Sequence, residues 1–379
     1  MRPWKIPPIG EILDDFRTET GPTKVSRQMV TLEKALAELG VEARIRKVYK
    51  GPTVTQFGLE PGPEVQISKI KNLDNDLALA LCAPVAIEEP GPGHPYVRIV
   101  VADEYRTQVK LRRILESSVF QQKEGLLKVG LGLDTFGEPV VIDLTALPHL
   151  LIGGATGSGK SVCINGMIAG LLCTYSPDWV QFLMIDPAQV ELKHYEGIPH
   201  LFAPVVVESE QVVEALHAMN QEINRRYTEF SKRGVRDLLS YNQSAIHLDR
   251  AAFPYLVIII DNLADLMIDA PGEVEPALTR IAAMGRGAGI HLIFATQRSN
   301  VELVAGALKA NLAGRIAFKV VSSIDSRLIL DSSGAENLFG PGDLLYKGPD
   351  IPIPERVQGV YVSDQELDRI VRFWQRQQG

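Results

Sequence analysis

The residues with the clearest chemistry form one short run of small side chains that ends in a lysine and a hydroxyl. Residues 154–161 read GATGSGKS, the pattern G-x-x-x-x-G-K-[ST], between an apolar run that predicts a strand and one that predicts a helix. In such a loop the backbone N–H groups converge on phosphate, the lysine reaches the β- and γ-phosphates, and the hydroxyl ligates Mg²⁺. The pattern predicts an ATP or GTP site formed by Gly154, Ala155, Thr156, Gly157, Ser158, Gly159, Lys160, Ser161 and Val162.

A second candidate group lies where the apolar run Tyr255–Ile260 stops. Asp261 follows this run, and at the end of a neighbouring strand its carboxylate would hold the magnesium, through water or through Ser161. Capping of the next helix is the alternative role for Asp261. The adjacent residue is Asn262, at the position where hydrolytic motors usually carry a carboxylate that polarises the attacking water. An amide cannot accept a proton from that water, so weakened hydrolysis is expected unless Asp265, one helical turn beyond Asp261, approaches it.

The elements that must position these residues alternate between apolar β-rich runs and helical segments from about Phe120 onward. Runs that are apolar throughout are typical of strands covered on both faces. This alternation predicts an α/β domain with a mainly parallel, doubly wound sheet over residues 119–379, preceded by a smaller α+β domain over residues 1–118. The β-rich runs are His149–Ile152, Val180–Ile185, Pro204–Val207, Tyr255–Ile260, Ile290–Ala295 and Arg315–Val320.

Composition narrows the class of protein. The 379 residues are 45% hydrophobic and 22% charged, which suits a folded chain with a sizeable core. The net charge of −7 gives no overall basic field, which counts mildly against nucleic-acid binding, although a ring can confine positive charge to its inner surface. Three widely spaced cysteines argue against a disulfide framework or a zinc site. With no signal-peptide core and no apolar run long enough to cross a bilayer, we expect a cytoplasmic chain without membrane insertion.

Several segments together resemble the motor part of the FtsK/SpoIIIE family of DNA translocases. They occur in family order with family-like spacing, and a weaker likeness extends back to about Gly51. A protein related only through its phosphate loop would share the loop and the strand-end aspartate but not the rest. The segments are PHLLIGGATGSGKS, MIDPAQVEL, YEGIPHL, EINRRY, DNLADLM, GIHLIFATQR, KANLAGRIAFKV, SSIDSRLILD, GAENL and GDLLY.

The resemblance implies a first domain, the family's α domain, stacked on a RecA-like P-loop motor domain. It further implies hexameric rings around double-stranded DNA, with ATP bound between neighbouring subunits. By its place in the family pattern, Arg286 is the arginine finger that one subunit inserts into the next, and Gln297 senses the γ-phosphate or the attacking water. A surface arginine near a helix end and a plain strand-end amide are the alternative interpretations of these two residues.

The resemblance also implies contacts with DNA. The family places basic loops in the pore of the ring, and the matching residues here are Arg298, Lys309 and Arg327. Such residues bind phosphates, so the interaction is strongly salt-dependent and has no sequence preference. Each of the three side chains could instead be an ordinary solvated charge.

The chain departs from the family at several positions. Besides Asn262, the family's DPK is Asp186-Pro187-Ala188, a lysine is replaced by Ser323, and Pro-Ser after ATQR is Ser299-Asn300. We also expect neither membrane spans nor a DNA-reading winged-helix module. The leading prediction is a DNA-dependent ATPase that moves along duplex DNA. An ATP-binding ring subunit with little turnover, favoured by Asn262 and Ala188, is the first alternative, and a secretion-type ATPase is the second.

Overall fold

Two separate sheets organise the chain, each with its own hydrophobic core. The structure is a computed structural model that describes residues 4–15, 23–88, 90, 95–103, 107–247, 252–297 and 306–378. Within these residues the strands form a four-stranded antiparallel sheet and a larger ten-stranded sheet. The two sheets match the predicted order of a smaller α+β unit followed by a larger α/β unit.

The smaller sheet has the strand order β1-β2-β4-β3, and its helices cover one face. Strand β2 is the most buried of the four and pairs with both β1 and β4. Leu36, Phe57 and Ile99 lie at the centre of this core, where each is almost completely buried. A short helix α1 (Ile9–Ile12) comes first in the chain, and the elements of this unit are α2 (Thr23–Glu38), β1 (Ala43–Lys50), β2 (Val54–Pro61), α3 (Ile67–Lys71), α4 (Asp74–Leu81), β3 (Val85–Glu88) and β4 (Val97–Ala102).

The larger unit follows from Val109 to the end of the described chain. Its strands are β5 (Val109–Lys110), β6 (Lys128–Asp134), β7 (Pro139–Asp143), β8 (His149–Gly154), β9 (Val180–Ile185), β10 (Tyr255–Ile260), β11 (Ile290–Gln297), β12 (Gly314–Phe318), β13 (Asp343–Lys347) and β14 (Glu355–Tyr361). Its helices are α5 (Leu111–Leu115), α6 (Ser118–Gln122), α7 (Lys160–Leu172), α8 (Ser209–Arg233), α9 (Leu238–His247), α10 (Leu263–Asp269), α11 (Pro271–Ala288), α12 (Gly306–Ala310), α13 (Ser323–Leu330) and α14 (Asp364–Gln375).

The larger sheet is half parallel and half antiparallel. Its order is β7-β6-β14-β13-β12-β8-β11-β10-β9, with β5 alongside β14. The strands from β12 to β9 are parallel, whereas β13, β14, β6 and β7 pair antiparallel. The predicted α/β class is confirmed, and the sheet is mixed. The antiparallel half was missed because the apolar runs named from the sequence cover none of its strands. The short connection between β13 and β14, which leaves no room for a helical crossover, is the signal for their antiparallel pairing.

Both faces of the parallel half are covered, as the continuous apolar runs predicted. Along β10, Val257 and Ile259 pack with α7 and α14 on one face, and Ile258 and Ile260 pack with α8 and α11 on the other. The run Pro204–Val207 is not a ladder strand. It makes a single bridge between Val206 and Ile185, because Pro204 has no N–H to donate and α8 begins soon afterwards.

The first described residues pack on the larger unit. Leu13 belongs to its core, the Arg369 guanidinium donates to Ile12 O at 2.7 Å, and the Trp4 and Trp374 rings lie 6.2 Å apart. Val109 and the apolar residues of α5 belong to the same core. The division into residues 1–118 and 119–379 stays a prediction, and this packing favours a start of the second unit near Val109.

Candidate nucleotide-binding site and DNA-contact residues

The glycine-rich loop lies at the carboxyl end of β8, between β11 and β12 at the centre of the sheet. The backbone is left-handed at Gly157 (φ 73°) and Gly159 (φ 114°), a conformation that glycine adopts without strain. A Cβ at Gly159 would lie 2.8 Å from Gly342 N, and one at Gly154 would lie 2.7 Å from Phe318 Cβ. The loop is therefore held in one conformation between β8 and the first residue of α7.

Lys160 is folded onto this loop. Its Nζ donates to Gly154 O and to Ala155 O, both at 2.9 Å. Burial lowers the pKa of Lys160, and the nearby charge of Asp261 opposes that effect. The Ser158 hydroxyl is buried and has no hydrogen-bond partner among the described residues. A phosphate group would give Lys160 an anionic partner and Ser158 an acceptor, so the loop fits a nucleotide.

Two aspartates lie at the carboxyl ends of adjacent strands near the loop, Asp186 fully buried and Asp261 half-buried. Asp186 follows β9 and Asp261 follows β10, and the last residues of these strands are in register. Asp186 is fully buried, and its Oδ2 accepts the N–H groups of Glu191 at 2.9 Å and Leu192 at 2.8 Å. Its Oδ1 has no partner in the described part of the chain. Burial, Asp186 and Glu191 raise the pKa of Asp261 to about 6, against the lowering effects of Lys160 and a backbone hydrogen bond at Asn262.

A divalent cation fits this acidic side of the site. Carboxylates whose charges repel each other, with one buried oxygen unpartnered, are stabilised by a nearby positive ion. No group of three or more His, Cys, Asp or Glu residues suitable for a metal occurs within the described ranges. Mg²⁺ commonly binds through one or two protein oxygens and the phosphates of its nucleotide rather than in a complete protein cage. Asp261 and the hydroxyl of Ser161, in the first turn of α7, are the residues that would hold it there.

Asn262 has a left-handed backbone, with φ 61° and ψ 65°, at the start of α10. Asparagine tolerates this region better than glutamate does, because its short polar side chain bonds locally. Local geometry thus favours the residue type that lacks a catalytic carboxylate. The side chains of Asp265 and Gln297 lie outside the described structure, and the backbone of Gln297 pairs with Gly154 in the sheet.

Arg286 lies far from the phosphate loop of its own chain. It is exposed in the last turn of α11, just before β11 begins at Ile290. The loop lies at the opposite end of that strand, where Gln297 meets Gly154. Seven residues at about 3.3 Å each separate the two ends by roughly 23 Å. No acidic side chain among the described residues forms an ion pair with Arg286. The residue can act on a phosphate loop only if that loop belongs to another copy of the chain.

The three candidate DNA-contact residues differ in their surroundings. Arg298 lies outside the described residues, whereas Arg327 is exposed on α13. Lys309 is already paired, with its Nζ 3.0 Å from Asp331 Oδ1, and Arg315 also contacts Asp331. Burial raises the pKa of Asp331, but the hydrogen bond from Lys309 and the charge of Arg315 hold it below its usual value.

The structure adds residues that the sequence analysis did not assign to either site. Asp186 was named only as part of a changed motif, and its burial beside Asp261 was not foreseen. Arg315 and Asp331 lie within family-like segments, yet their pairing with Lys309 depends on how α12, β12 and α13 meet. A strand followed immediately by an aspartate, as at Ile185-Asp186, was the available signal for the first of these residues.

Comparisons with known proteins agree with this architecture. The model of the FtsK/SpoIIIE family matches residues 110–301, and the model of the FtsK alpha domain matches residues 7–102. The DNA translocase FtsK of Halalkalibacterium halodurans is 46% identical over 354 residues, which cover 92% of this chain and 45% of the relative. The DNA translocase SpoIIIE of Bacillus subtilis is 45% identical over 350 residues, covering 90% and 44%. The chain spans about half the length of the curated relatives it matches.

Solved structures share the fold. The pCW3 conjugation coupling protein TcpA, determined with ATPγS, superposes with a TM-score of 0.63 at 21% identity, covering 91% of this chain and 99% of TcpA. The type VII secretion ATPase EccC of Thermomonospora curvata gives 0.62 at 26% identity, covering 70% of this chain and 34% of EccC. Among the described helices, none has the length and apolar character to cross a membrane. On the family models and the curated relatives together, this chain belongs to the FtsK/SpoIIIE family.

Proposed function

We propose that this chain binds ATP with Mg²⁺ and hydrolyses it to move along double-stranded DNA as a cytoplasmic ring of identical subunits, a homo-hexamer. The observation that carries the proposal is the arrangement of Lys160 and Arg286 at opposite ends of β11. In a lone subunit the exposed Arg286 precedes the start of β11, roughly 23 Å from the end of that strand at which the phosphate loop lies. Head-to-tail contact between copies would bring Arg286 of one copy to the phosphate loop of the next, and repeated contacts of this kind form a ring when the rotation between copies closes.

In this proposal the loop residues bind and orient the triphosphate. Lys160 exchanges its two carbonyl partners for phosphate oxygens, while Asp261 and Ser161 would hold a magnesium ion, which would supply positive charge against that of the phosphates. Arg286 of a neighbouring copy stabilises the charge that develops on the γ-phosphoryl group. Gln297 orients the attacking water from the end of β11. Movement along duplex DNA is supported by the names of the curated relatives, and Arg298, Lys309 and Arg327 would contact its phosphates.

An ATP-binding ring subunit that turns over little nucleotide is the second candidate. Asn262 is the observation that favours it, since this residue cannot accept a proton from water and removal of a general base costs roughly 10²–10⁴-fold in rate. The two candidates share the nucleotide site and the ring and differ only in the rate of hydrolysis.

ATP turnover by the purified chain, with and without linear duplex DNA, tests the proposal. We expect turnover that duplex DNA stimulates several-fold and that Lys160→Ala reduces to background. Lys232→Ala provides the matched control, because Lys232 is an exposed lysine paired with Glu229 on α8. Wild-type turnover at the Lys160→Ala level, with and without DNA, would reject the translocase and favour the second candidate.

A further inference from the structure

A turn near the end of the chain touches the phosphate loop directly. Gly342 N donates to Ser158 O at 2.9 Å, and Gly342 O accepts from Gly359 N in β14 at 2.7 Å. The contact is close enough that a Cβ at Gly159 would lie 2.8 Å from Gly342 N. The phosphate loop is thus hydrogen-bonded through its backbone to the turn of residues 339–343, and through that turn to β14.

Gln358 on β14 packs against the same turn. Its Nε2 donates to Pro341 O at 3.3 Å, and a Cβ at Gly342 would lie 2.4 Å from that nitrogen. Gly342 itself has a left-handed backbone with φ 80°. A side chain at position 342 would therefore displace Gln358, and movement of Gln358 would remove its hydrogen bond to the turn at Pro341. The side chain of Gln358 thus packs directly against the backbone of the turn.

The other end of the Gln358 amide is held by the smaller unit. Thr53, immediately before β2, is almost completely buried, and its Oγ1 donates to Gln358 Oε1 at 3.0 Å. An amide oxygen accepts and an amide nitrogen donates, so this bond fixes which end of the side chain faces Pro341. A hydroxyl of the smaller unit therefore orients the group that packs on the turn beneath the phosphate loop.

An ion-pair chain fixes the turn from its far side. Arg356 on β14 forms a bidentate pair with Asp343, at 3.0 Å and 2.7 Å, and its Nη1 lies 3.7 Å from Glu88 Oε1 in β3. Both Arg356 and Asp343 are almost completely buried. Asp343 Oδ2 also accepts Phe339 N at 2.8 Å, which closes the turn on itself. The smaller unit thus contacts both ends of the segment that supports the phosphate loop.

We propose that Gln358 is a positioning residue for nucleotide binding and that Thr53 sets its orientation. The smaller unit then contributes to nucleotide affinity without touching the nucleotide, through Thr53, Gln358, Gly342 and Ser158 in that order. The inference rests on the nucleotide binding of the proposed function and deepens it. Because coupling free energy between two sites is reciprocal, bound nucleotide also tightens the contact between the two units.

Thr53→Val and Thr55→Val form a matched pair for the test. Both threonines are buried near the start of β2, and both substitutions remove one hydroxyl at nearly constant volume. The Thr55 hydroxyl donates at 2.8 Å to Asp103, within the smaller unit. Affinity for a fluorescent ATPγS analogue with Mg²⁺ is measured by titration of the full chain, beside KM and kcat for ATP. Thermal unfolding of each variant establishes that it is folded.

The proposal predicts that Thr53→Val weakens analogue binding by about 3–10-fold, the loss of one hydrogen bond, and raises KM equally with kcat little changed. Thr55→Val stays within about twofold of wild type even where it lowers the unfolding temperature. Gln358→Met, which retains bulk without the amide, loses the bonds to Thr53 and to Pro341 and weakens binding at least as much as Thr53→Val. The double variant is no worse than Gln358→Met, because Thr53 acts through Gln358.

The outcomes separate this inference from the proposed function. Wild-type affinity in Thr53→Val, or equal losses in the two threonine variants, overturns the positioning role and leaves the translocase untouched. A wild-type chain that binds the analogue but whose ATP turnover ignores duplex DNA overturns the translocase. In that case the difference between Thr53→Val and Thr55→Val still decides the inference.

Discussion

The phosphate loop and the basic residues around α13 differ in how much of a binding site one chain assembles. At the loop, glycines with left-handed backbone, a folded-back lysine, the buried Asp186 and the half-buried Asp261 lie together. Around α13 the charges are dispersed, and Lys309, the less exposed of the two described candidates, is paired with Asp331. One chain therefore supplies most of the groups that the proposed nucleotide site needs. In the proposed function the basic residues form a DNA-contacting surface only when copies of the chain assemble.

Removal of the loop lysine should have the largest effect, and it tests whether one chain supplies most of the phosphate-binding groups. Lys160→Ala removes the ammonium group of the loop. When nucleotide binds, this group exchanges its contacts with Gly154 O and Ala155 O for contacts with phosphate. Two charge-assisted hydrogen bonds at about 1.5–3 kcal/mol each predict a loss of nucleotide affinity of about 100-fold or more. Isothermal titration with ATPγS and Mg²⁺ measures it, with Lys232→Ala as the control. A loss of nucleotide affinity below about threefold would mean that Lys160 does not bind the phosphates.

Acid should destabilise the strand that carries the loop. His149 begins β8, with Nε2 2.9 Å from Ala282 O and Nδ1 accepting Leu292 N at 3.1 Å. Burial and His291 lower the pKa of His149 to about 3, and burial lowers that of His291 to about 4. Since both values lie below the unfolded 6.5, the unfolded chain binds more protons, and stability is lost as pH falls from about 6.5 toward 4.

On going from pH 7 to pH 5, the lowered pKa of each histidine should reduce the free energy of unfolding by about 2 kcal/mol. Urea unfolding at the two pH values measures the difference. His149→Gln retains a donor toward Ala282 O and should reduce the pH dependence, whereas His217→Gln, at an exposed position on α8, should not. Equal pH dependence in wild type and His149→Gln would contradict the assignment of the acid sensitivity to this strand.

Asn262→Glu tests the acidic side of the nucleotide site, where asparagine occupies the position of the catalytic carboxylate. We expect ATP turnover to rise about tenfold, less than the roughly 10²–10⁴-fold effect of a general base, because glutamate is strained by the left-handed backbone at this position. Asn262→Gly provides the control, since glycine relaxes the backbone without adding a carboxylate. Steady-state turnover decides the matter. If the glutamate variant is no faster than the glycine variant, another group such as Asp265 already activates the water.

Release of Lys309 from its ion pair is the smallest expected effect and tests the second region. Asp331→Asn should raise affinity for a labelled duplex about threefold at low salt, because Lys309 and Arg315 gain freedom to bind phosphate. Asparagine suits the left-handed backbone of position 331, where φ is 56°. Asp350→Asn changes the net charge equally at an exposed site. Fluorescence anisotropy over a salt series gives both affinities. If the two variants bind equally, Lys309 and Arg315 do not contact DNA.

The phosphate loop was predictable residue by residue because its geometry is local. A strand, a glycine-rich turn, a lysine and a helix follow one another along the chain, and each requires a recognisable residue type. The parallel strands followed equally from continuous apolar runs such as Tyr255–Ile260. Asp261 was found because it ends such a run.

What escaped prediction depends on contacts between distant segments. The burial of Asp186 beside Asp261 and the bond from Thr53 to Gln358 depend on residues whose proximity no local pattern encodes. The paired state of Lys309 is of the same kind, since Asp331 reaches it only when α13 packs beside α12. Local sequence identifies a phosphate-binding loop, whereas tertiary packing determines which basic side chains are already paired with an acidic one.

The most direct test of the central claim, that nucleotide is turned over at a seam between copies, uses two inactive variants together. Lys160→Ala lacks the loop lysine and Arg286→Ala lacks the arginine, and neither alone should hydrolyse ATP above background. Rings from co-expression of the two variants contain seams at which an intact loop faces an intact arginine. Random pairing predicts about a quarter of wild-type ATP turnover with duplex DNA. Mixed rings no more active than the sum of the two variants would contradict the account.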